Sequence, residues 1–502
     1  MHCLEMYSQK DPDFQPLRLV VSGTAGSGKS YLIKCLIKFV RNYFNNNKSV
    51  QVVCPTGNAA NIINGVTIHR FLKVPTQFQN KEMSAPCGSA AEQLQKNLNG
   101  LKVLLVDERS LVGSTTLGWM EFMCRHGVES GSNSHLSWGG MPVVVFFGDD
   151  VQLPPVLDAP VYNCSLKSPA ALHGVVVWKE FKSVINLSTV IRQKDNEAML
   201  KSVLFSLRDY SSTSEHCKWL QKFQWLEIKS KYGNNCIKEY EDNALFVFPT
   251  HCQVWQHNKS KLSELNNHFP VATIKADFKG RHSKNEEDSN VLLPVIFLCK
   301  NAKVMLTVNL CVEYGLFNGA VGIVNEIIYL EGRRPPEYQP DLVLVSFPSY
   351  TGPPFIENSP KIVPVFPVER RCNCLCFSCK RKQIPLRLGW ATTIHKCQGM
   401  TIGEGEPNRY IVIDPGNRSF ECRNPGALFV ALSRAKSTGN NLVLPDFAWN
   451  SSVLINDDRI CCTVNTKTKL ARDVEIKRLT KLASETRTKY NFLLSSSLQL
   501  EE

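Results

Sequence analysis

Eight residues near the start of the chain, GTAGSGKS (23–30), set three glycines beside a lysine and a hydroxyl, the make-up of a loop that wraps a phosphate chain. Glycines let backbone N–H groups face anionic oxygens at a helix N-terminus. In such a loop the lysine reaches the β- and γ-phosphates and the hydroxyl ligates Mg²⁺. Gly23, Thr24, Ala25, Gly26, Ser27, Gly28, Lys29 and Ser30 are therefore the predicted nucleotide contacts. The loop needs carboxylates to hold the metal and direct a water, and LKVLLVDERS (101–110) ends an apolar run in Asp107 and Glu108. Asp107 is expected to hold Mg²⁺ together with Ser30, and Glu108 to act as base toward the attacking water. An Asp-Glu pair suits a hydrolase better than a switch. In PVVVFFGDDVQLPPV (142–156) a third apolar run meets Gly148, Asp149 and Gln152 before a Pro pair. Gln152 is a candidate bridge between a γ-phosphate and a nucleic-acid path; the plainer reading of the stretch is a βα loop with a glycine turn.

These groups need rigid elements to present them. LRLVVSG, ahead of the loop, is almost continuously apolar, as a strand buried on both faces would be. SYLIKCLIKFVRNYF, after it, repeats its apolar residues at helical spacing. Strand, glycine loop and helix form the context in which a phosphate-loop motif is credible. At 502 residues the chain has room for several domains. The formal net charge of +13 favours a polyanionic partner, most simply nucleic acid. No apolar run reaches the roughly 18–20 residues that span a bilayer, so no membrane partner is expected. The opening residues do not read as a secretory signal, and most of the 19 cysteines sit singly in apolar stretches, as buried thiols of an intracellular protein do.

The ordered motifs resemble those of superfamily 1 helicases of the 5′→3′ branch, the group with RecD and the petite-integration-frequency (PIF-type) DNA helicases, over roughly residues 17 to 450. After GTAGSGKS come PTGNAANIINGVTIHRF (55–71), VLLVDERS, GDDVQLPPV and LSTVIRQ (187–193). LFVFPTHCQVWQHN (245–258), WATTIHKCQGMT (390–401) and FVALSRAKS (429–437) complete the series. The resemblance implies an α/β protein of two RecA-like P-loop domains with ATP between them and small inserted domains, one an SH3-like β barrel. It implies that Lys29, Asp107, Glu108 and Gln152 serve catalysis from the first domain. Arg192 and Arg434 would reach over from the second as arginine fingers. Thr56, Thr67 and His69, with Thr393, His395 and Gln398, would meet the phosphates and sugars of single-stranded DNA.

The expected domains are 1–158 for the first motor domain, with 72–98 as a small wedge insertion, and 159–298 plus 385–455 for the second. Residues 299–384 hold the SH3-like insertion, where KVMLTVNL, AVGIVNEIIYL, LVLVSF and KIVPVFPV read as strands, and 456–502 form a basic tail with some helical spacing, read first as a solvated helix. Two positions depart from the family pattern: Arg109 stands where an apolar residue is usual, either crowding the metal site or pointing outward, and Cys397 where Ser is usual. Cys372, Cys374, Cys376 and Cys379 lie close enough together to suggest zinc, but their spacing is cramped for four ligands to one ion, and alternate buried thiols are the plainer reading. The implied activity is an ATP-dependent DNA helicase translocating 5′→3′ on single-stranded DNA and unwinding duplex junctions. A monomer is expected, in the nucleus or alternatively the mitochondrion, working in DNA repair, recombination or genome and telomere maintenance. The competing readings are a catalytically degenerate nucleic-acid binder and a helicase module of a transposon-type protein acting on another nucleic acid.

Overall fold

The computed structural model describes residues 2–491 apart from 76–81, 129–132, 164–167, 281–291, 331, 336, 372–379, 407, 417, 439–441 and 445–465. Contacts divide the chain into two units: Met1–Trp219 with Asn417–Ser437 and Ala448–Glu502, and Leu220–Gly416 with Thr438–Phe447.

The first unit is built on six strands: β1 (Leu17–Gly23), β2 (Val50–Cys54), β3 (Val66–Thr67), β4 (Val103–Val106), β5 (Val143–Gly148) and β6 (Ser183–Leu187). All pair in parallel, in the order β3-β2-β4-β5-β1-β6. Parallel strands need helices on both faces, which explains why β4 and β5 are buried at every position. The order matters more than the strand count. β4, β5 and β1 are consecutive neighbours, so the segments leaving their C-terminal ends (Asp107–Glu108, Asp149–Gln152 and the glycine loop) must meet at one edge of the sheet.

Below that edge Trp138, Phe146, Trp178 and Phe181 pack largely edge-to-face, with ring centroids 5.0–6.4 Å apart. The last described helix, Thr466–Lys489, joins this core: Leu479 is 3% exposed, and the Thr486 hydroxyl accepts a 2.9 Å bond from Val184 N–H at the sheet's edge strand. The basic stretch is thus helical as expected, but it is packed rather than solvated all round. Residues 159–219 and 417–437, expected in the second motor domain, group with the phosphate loop. The cause is physical: β6 pairs with β1, and the helix Ala427–Leu432 packs on the helix Ala198–Asp209. Of the expected wedge, Ser89–Leu98 is a helix that buries Leu94 and Leu98.

The second unit carries β7 (Leu245–Phe248), β8 (Ala272–Lys275), β9 (Asp277–Lys279), β10 (Val295–Leu298), β11 (Lys303–Leu306), β12 (Val321–Ile328), β13 (Leu342–Ser346), β14 (Ile362–Val365), β15 (Val368–Arg371), β16 (Lys380–Gln383), β17 (Leu386–Leu388), β18 (Ala391–Thr393), β19 (Ile411–Ile413) and β20 (Leu442–Val443). Its parallel sheet runs β18-β7-β19-β20. The inserted strands read from the sequence, β11 to β14, join β17 in an antiparallel sheet, β14-β13-β12-β11-β17. Among the described residues that sheet is open, and no closed SH3-like barrel is found: after β14 the chain leaves within a few residues for β15, which pairs with β16 instead of returning to β17. Cys372, Cys374, Cys376 and Cys379 lie outside the described residues. No described helix is long and apolar enough to cross a membrane.

The docking of the last helix is testable by thermal or urea melts. Leu479→Ala, which opens a cavity among the first unit's apolar side chains, is expected to cost about 2–5 kcal/mol. Leu470→Ala, on the same helix but 62% exposed, is expected to stay within about 0.5 kcal/mol of the parent. Equal melting of the two variants would show that the helix is not anchored there.

Candidate nucleotide and nucleic-acid sites

The glycine loop leaves β1 and closes on the helix Lys29–Phe44 with Gly26 at φ 80° and Gly28 at φ 88°, conformations that a side chain resists. Gly26 is constrained twice, because a Cβ there would lie 2.5 Å from Cβ of Arg192. The amides of Ile191 and Arg192 both donate to the Gly26 carbonyl, at 2.8 and 3.2 Å. The segment leaving β6 therefore lies directly on the phosphate loop. Lys29 Nζ donates to the carbonyls of Gly23 (2.6 Å) and Thr24 (2.9 Å), holding the loop's curl with the same cation that would meet a phosphate. Burial lowers the Lys29 pKa, against the opposing pull of Asp149, Glu108 and Asp107, while Arg192 adds to the lowering.

Those carboxylates differ in environment. Asp107, 6% exposed, accepts the Glu108 amide at 2.9 Å, and burial followed by repulsion from Glu108 pushes its pKa up to about 7. Glu108 itself adopts φ 54°, ψ 49°, a left-handed backbone uncommon outside glycine, which turns it sharply off the end of β4. At Asp149 burial raises the pKa, but Arg208 and Lys29 prevail and hold it below the usual carboxylate range. Asp149 pairs with Arg208 and accepts from Val151 N–H (3.3 Å) and from the Gln152 amide (3.5 Å). Gln152 is thereby aimed by Asp149 and buried at 6% exposure.

Arg192 donates to the Ser433 carbonyl at 2.8 Å, and neighbouring Gln193 to the Ala435 carbonyl at 2.8 Å. Arg434, 2% exposed, donates to Val430 O (2.9 Å) and Ser433 Oγ (2.8 Å). Both arginines, expected from the second domain, stand in the first unit, and Arg192 is near enough to Lys29 to act on its charge. Ser30 follows Lys29 in the first turn of its helix. Sequence reasoning missed Arg208, whose role depends on a distant partner, and gave Asp149 no task although its place at a strand end marks it.

The nucleic-acid candidates sit at the same kind of strand end. β2 and β3 are neighbours with Cys54 opposite Thr67. Just beyond them Thr56 accepts the Ala59 amide (3.3 Å) and Thr67 caps the helix Ile68–Leu72 through the Arg70 amide (3.4 Å). His69 has its pKa lowered by burial, which favours the neutral ring. In the second unit Thr393 ends β18 and begins the short helix Ile394–Cys397; it and Gln398 are buried, and His395 is half-buried. Cys397 is buried and donates to Ile394 O at 3.0 Å, as a serine would. Three basic groups given no task in the sequence reading, Lys396, Arg387 and His251, accompany this motif. Burial and Arg387 lower the Lys396 pKa to about 8, and burial, Lys396 and Arg387 together lower that of His251.

A glycine loop, an acidic strand end and a glutamine-bearing strand end, gathered on a parallel sheet, define a P-loop nucleotide-binding protein of RecA-like α/β fold. Residues 13–225 match the family of PIF1-like helicases. The chain is similar in sequence to Pif1 helicases from several species. It is 26% identical over 449 residues to the ATP-dependent DNA helicase Pif1 of Bdellovibrio bacteriovorus, covering 88% of this chain and 86% of that one. With the ATP-dependent DNA helicase PIF1 of Emericella nidulans it shares 27% identity over 467 residues, covering 84% of this chain but 57% of that longer protein. Among solved structures, Bacteroides Pif1 bound to single-stranded DNA shares the fold, with a TM-score of 0.61 at 23% identity over 91% of this chain and 95% of that one.

The lowered Lys396 pKa gives a pH test. Lys396 carries its charge below about 8 and sheds it above, so affinity for single-stranded DNA at fixed salt should fall as pH rises through that value. The loss expected is about tenfold, the worth of one charged hydrogen bond, and Lys396→Arg, charged throughout, should flatten it. A parent and variant with the same pH profile would remove Lys396 from the DNA path.

Proposed function

We propose that this chain is an ATP-driven DNA helicase that moves 5′→3′ along single-stranded DNA and unwinds duplex at junctions. The observation that carries the reading is the meeting of Lys29, Asp107, Glu108, Asp149 and Gln152 at three adjacent strand ends, with Arg192 laid against Gly26. Similarity to Pif1 helicases supplies DNA as the track, and the net charge of +13 agrees with it.

In this reading Lys29 exchanges its loop carbonyls for the terminal phosphates of ATP. Glu108 accepts the proton of the attacking water, and its left-handed backbone sets the direction from which it does so. Gln152, oriented by Asp149, reports the state of the γ-phosphate toward the DNA path. Arg192 and Arg434 offset the charge that grows on the transferring phosphoryl group. Ser30 and Asp107 are the residues that would hold Mg²⁺, and the donor set fits: a hydroxyl and a carboxylate are the hard oxygen ligands that Mg²⁺ takes, and a cation would relieve the burial and the Glu108 repulsion that raise the Asp107 pKa. When bound, the metal supplies Lewis-acid neutralisation of the phosphate oxygens. Thr56, Thr67 and His69, and Thr393, His395 and Gln398, grip phosphate and sugar without reading sequence. The inserted antiparallel strands act as an accessory module of the second unit, and the segment around 72–98 as the wedge. We assign the protein a monomeric state, and a nuclear or mitochondrial task in DNA repair, recombination or genome maintenance.

The test is ATP hydrolysis with and without single-stranded DNA, followed by unwinding of forks that carry a 5′ or a 3′ tail. DNA should stimulate turnover, and Lys29→Ala should abolish it. Glu108→Gln should lower kcat by about 10²- to 10⁴-fold, the scale of a lost general base. Hydrolysis that ignores DNA while DNA still binds would mark a binder that has lost its motor, and preference for a 3′ tail would reverse the polarity.

A further inference from the structure

Arg109, the residue after Glu108, stands where the family pattern has an apolar side chain, and it neither crowds the metal site nor points outward. It is 1% exposed and meets Asp150, the residue after Asp149, through two parallel bonds: Nε to Oδ1 at 3.1 Å and Nη2 to Oδ2 at 2.5 Å. The two loops are in backbone contact here, since a Cβ on Gly148 would lie 2.8 Å from Arg109 N and 2.7 Å from its Cβ. Trp178 covers the pair, its ring 5.5 Å from the guanidinium carbon. The indole N–H in turn donates to Glu475 of the last helix at 2.9 Å, and Glu475 is held by Arg478 at 2.7 and 2.8 Å.

A buried ion pair is a poor way to gain stability, because desolvation offsets most of its attraction and an apolar pair does as well or better. What a bidentate pair adds is direction: the planar fork fixes distance and angle together. This pair ties the residue beside Glu108 to the residue beside Asp149. Glu108 already sits in a left-handed conformation that surrounding structure has to enforce.

We propose that Arg109 and Asp150 are positioning residues for hydrolysis: their pairing fixes the backbone that presents Glu108 against the backbone that presents Asp149, and the last helix, through Glu475 and Trp178, keeps the pairing closed. The inference rests on the ATP-hydrolysing reading above.

Steady-state hydrolysis at saturating single-stranded DNA tests it on the full chain, for Arg109→Gln, Asp150→Asn, the double variant, Glu475→Gln and the Lys29→Ala control. Each single change at the pair should lower kcat roughly 10- to 100-fold, as a misplaced catalytic group does, with KM for ATP within about threefold. The double variant should be no worse than the singles, because both act on one coupling. Glu475→Gln should give a smaller loss of the same kind. Binding of a fluorescent ADP analogue reports whether each variant keeps its phosphate loop; if Asp150→Asn does not, Arg109→Lys, which keeps the charge but not the fork, is expected to show the kcat loss instead. Wild-type kcat in folded single variants, with only the melting temperature lowered, would reduce the pair to a structural contact. So would losses that multiply in the double variant. A wild-type chain with no hydrolysis above the Lys29→Ala background would overturn the functional reading along with this one, whereas an active wild type with indifferent variants would overturn this one alone.

Discussion

One half-buried cation among carboxylates organises the first unit. Lys29 extends from the glycine loop toward Asp149, Glu108 and Asp107, which come from two separate places in the sequence. Burial disfavours every charge in this group, so each must be answered by the others or by a ligand. The protein divides the work: Asp149 is satisfied by Arg208 and kept ionised, whereas Asp107 is left beside Glu108 with its pKa raised toward neutrality. The Arg208-paired carboxylate positions its surroundings, whereas Asp107 and Glu108 stand where the proposed reading puts the metal and the phosphate chain.

That arrangement constrains the elements around it. β4, β5 and β1 have to be neighbours, and parallel neighbours require crossover helices, which in turn require both faces of the sheet to be apolar. The edge at β6 has its own demand. Its exit loop, carrying Arg192, must lie on Gly26, and its outer N–H groups must be answered; the Thr486 hydroxyl answers one of them. A helix from nearly three hundred residues further on is in this way part of the nucleotide-binding unit, and it brings Glu475 to Trp178.

Much of the site was legible in the sequence for reasons that are local. Phosphate binding needs glycines at left-handed positions followed at once by a helix, and that requirement leaves a contiguous signature. Apolar runs ending in acids mark the C-terminal ends of buried strands, which located Asp107, Glu108 and Gln152 at strand ends; the strand order then brings those ends to one edge. The antiparallel strands of the second unit were legible too, from their apolar runs; Gly319, in the turn before β12, takes φ 104°. Closure of those strands into a barrel was not legible, because it depends on how the chain leaves β14. The grouping of Arg192 and Arg434 with the phosphate loop was equally hidden, since it follows from β6 pairing with β1 and from one helix packing on another.

The sequence by itself therefore determined the groups on offer: a glycine loop with a lysine, two acids at the end of one apolar run, a glutamine after another, arginines within short motifs, and a net charge of +13. Each motif is written in a few consecutive residues because backbone conformation and burial act over that range. Only the tertiary structure decided which charges answer which. Asp149 with Arg208, Arg109 with Asp150 and Glu475 with Trp178 are separated by 59, 41 and 297 residues. Electrostatic pairing depends on distance in space and on the removal of water, and neither is set until the sheet has ordered its strands and the last helix has closed over them.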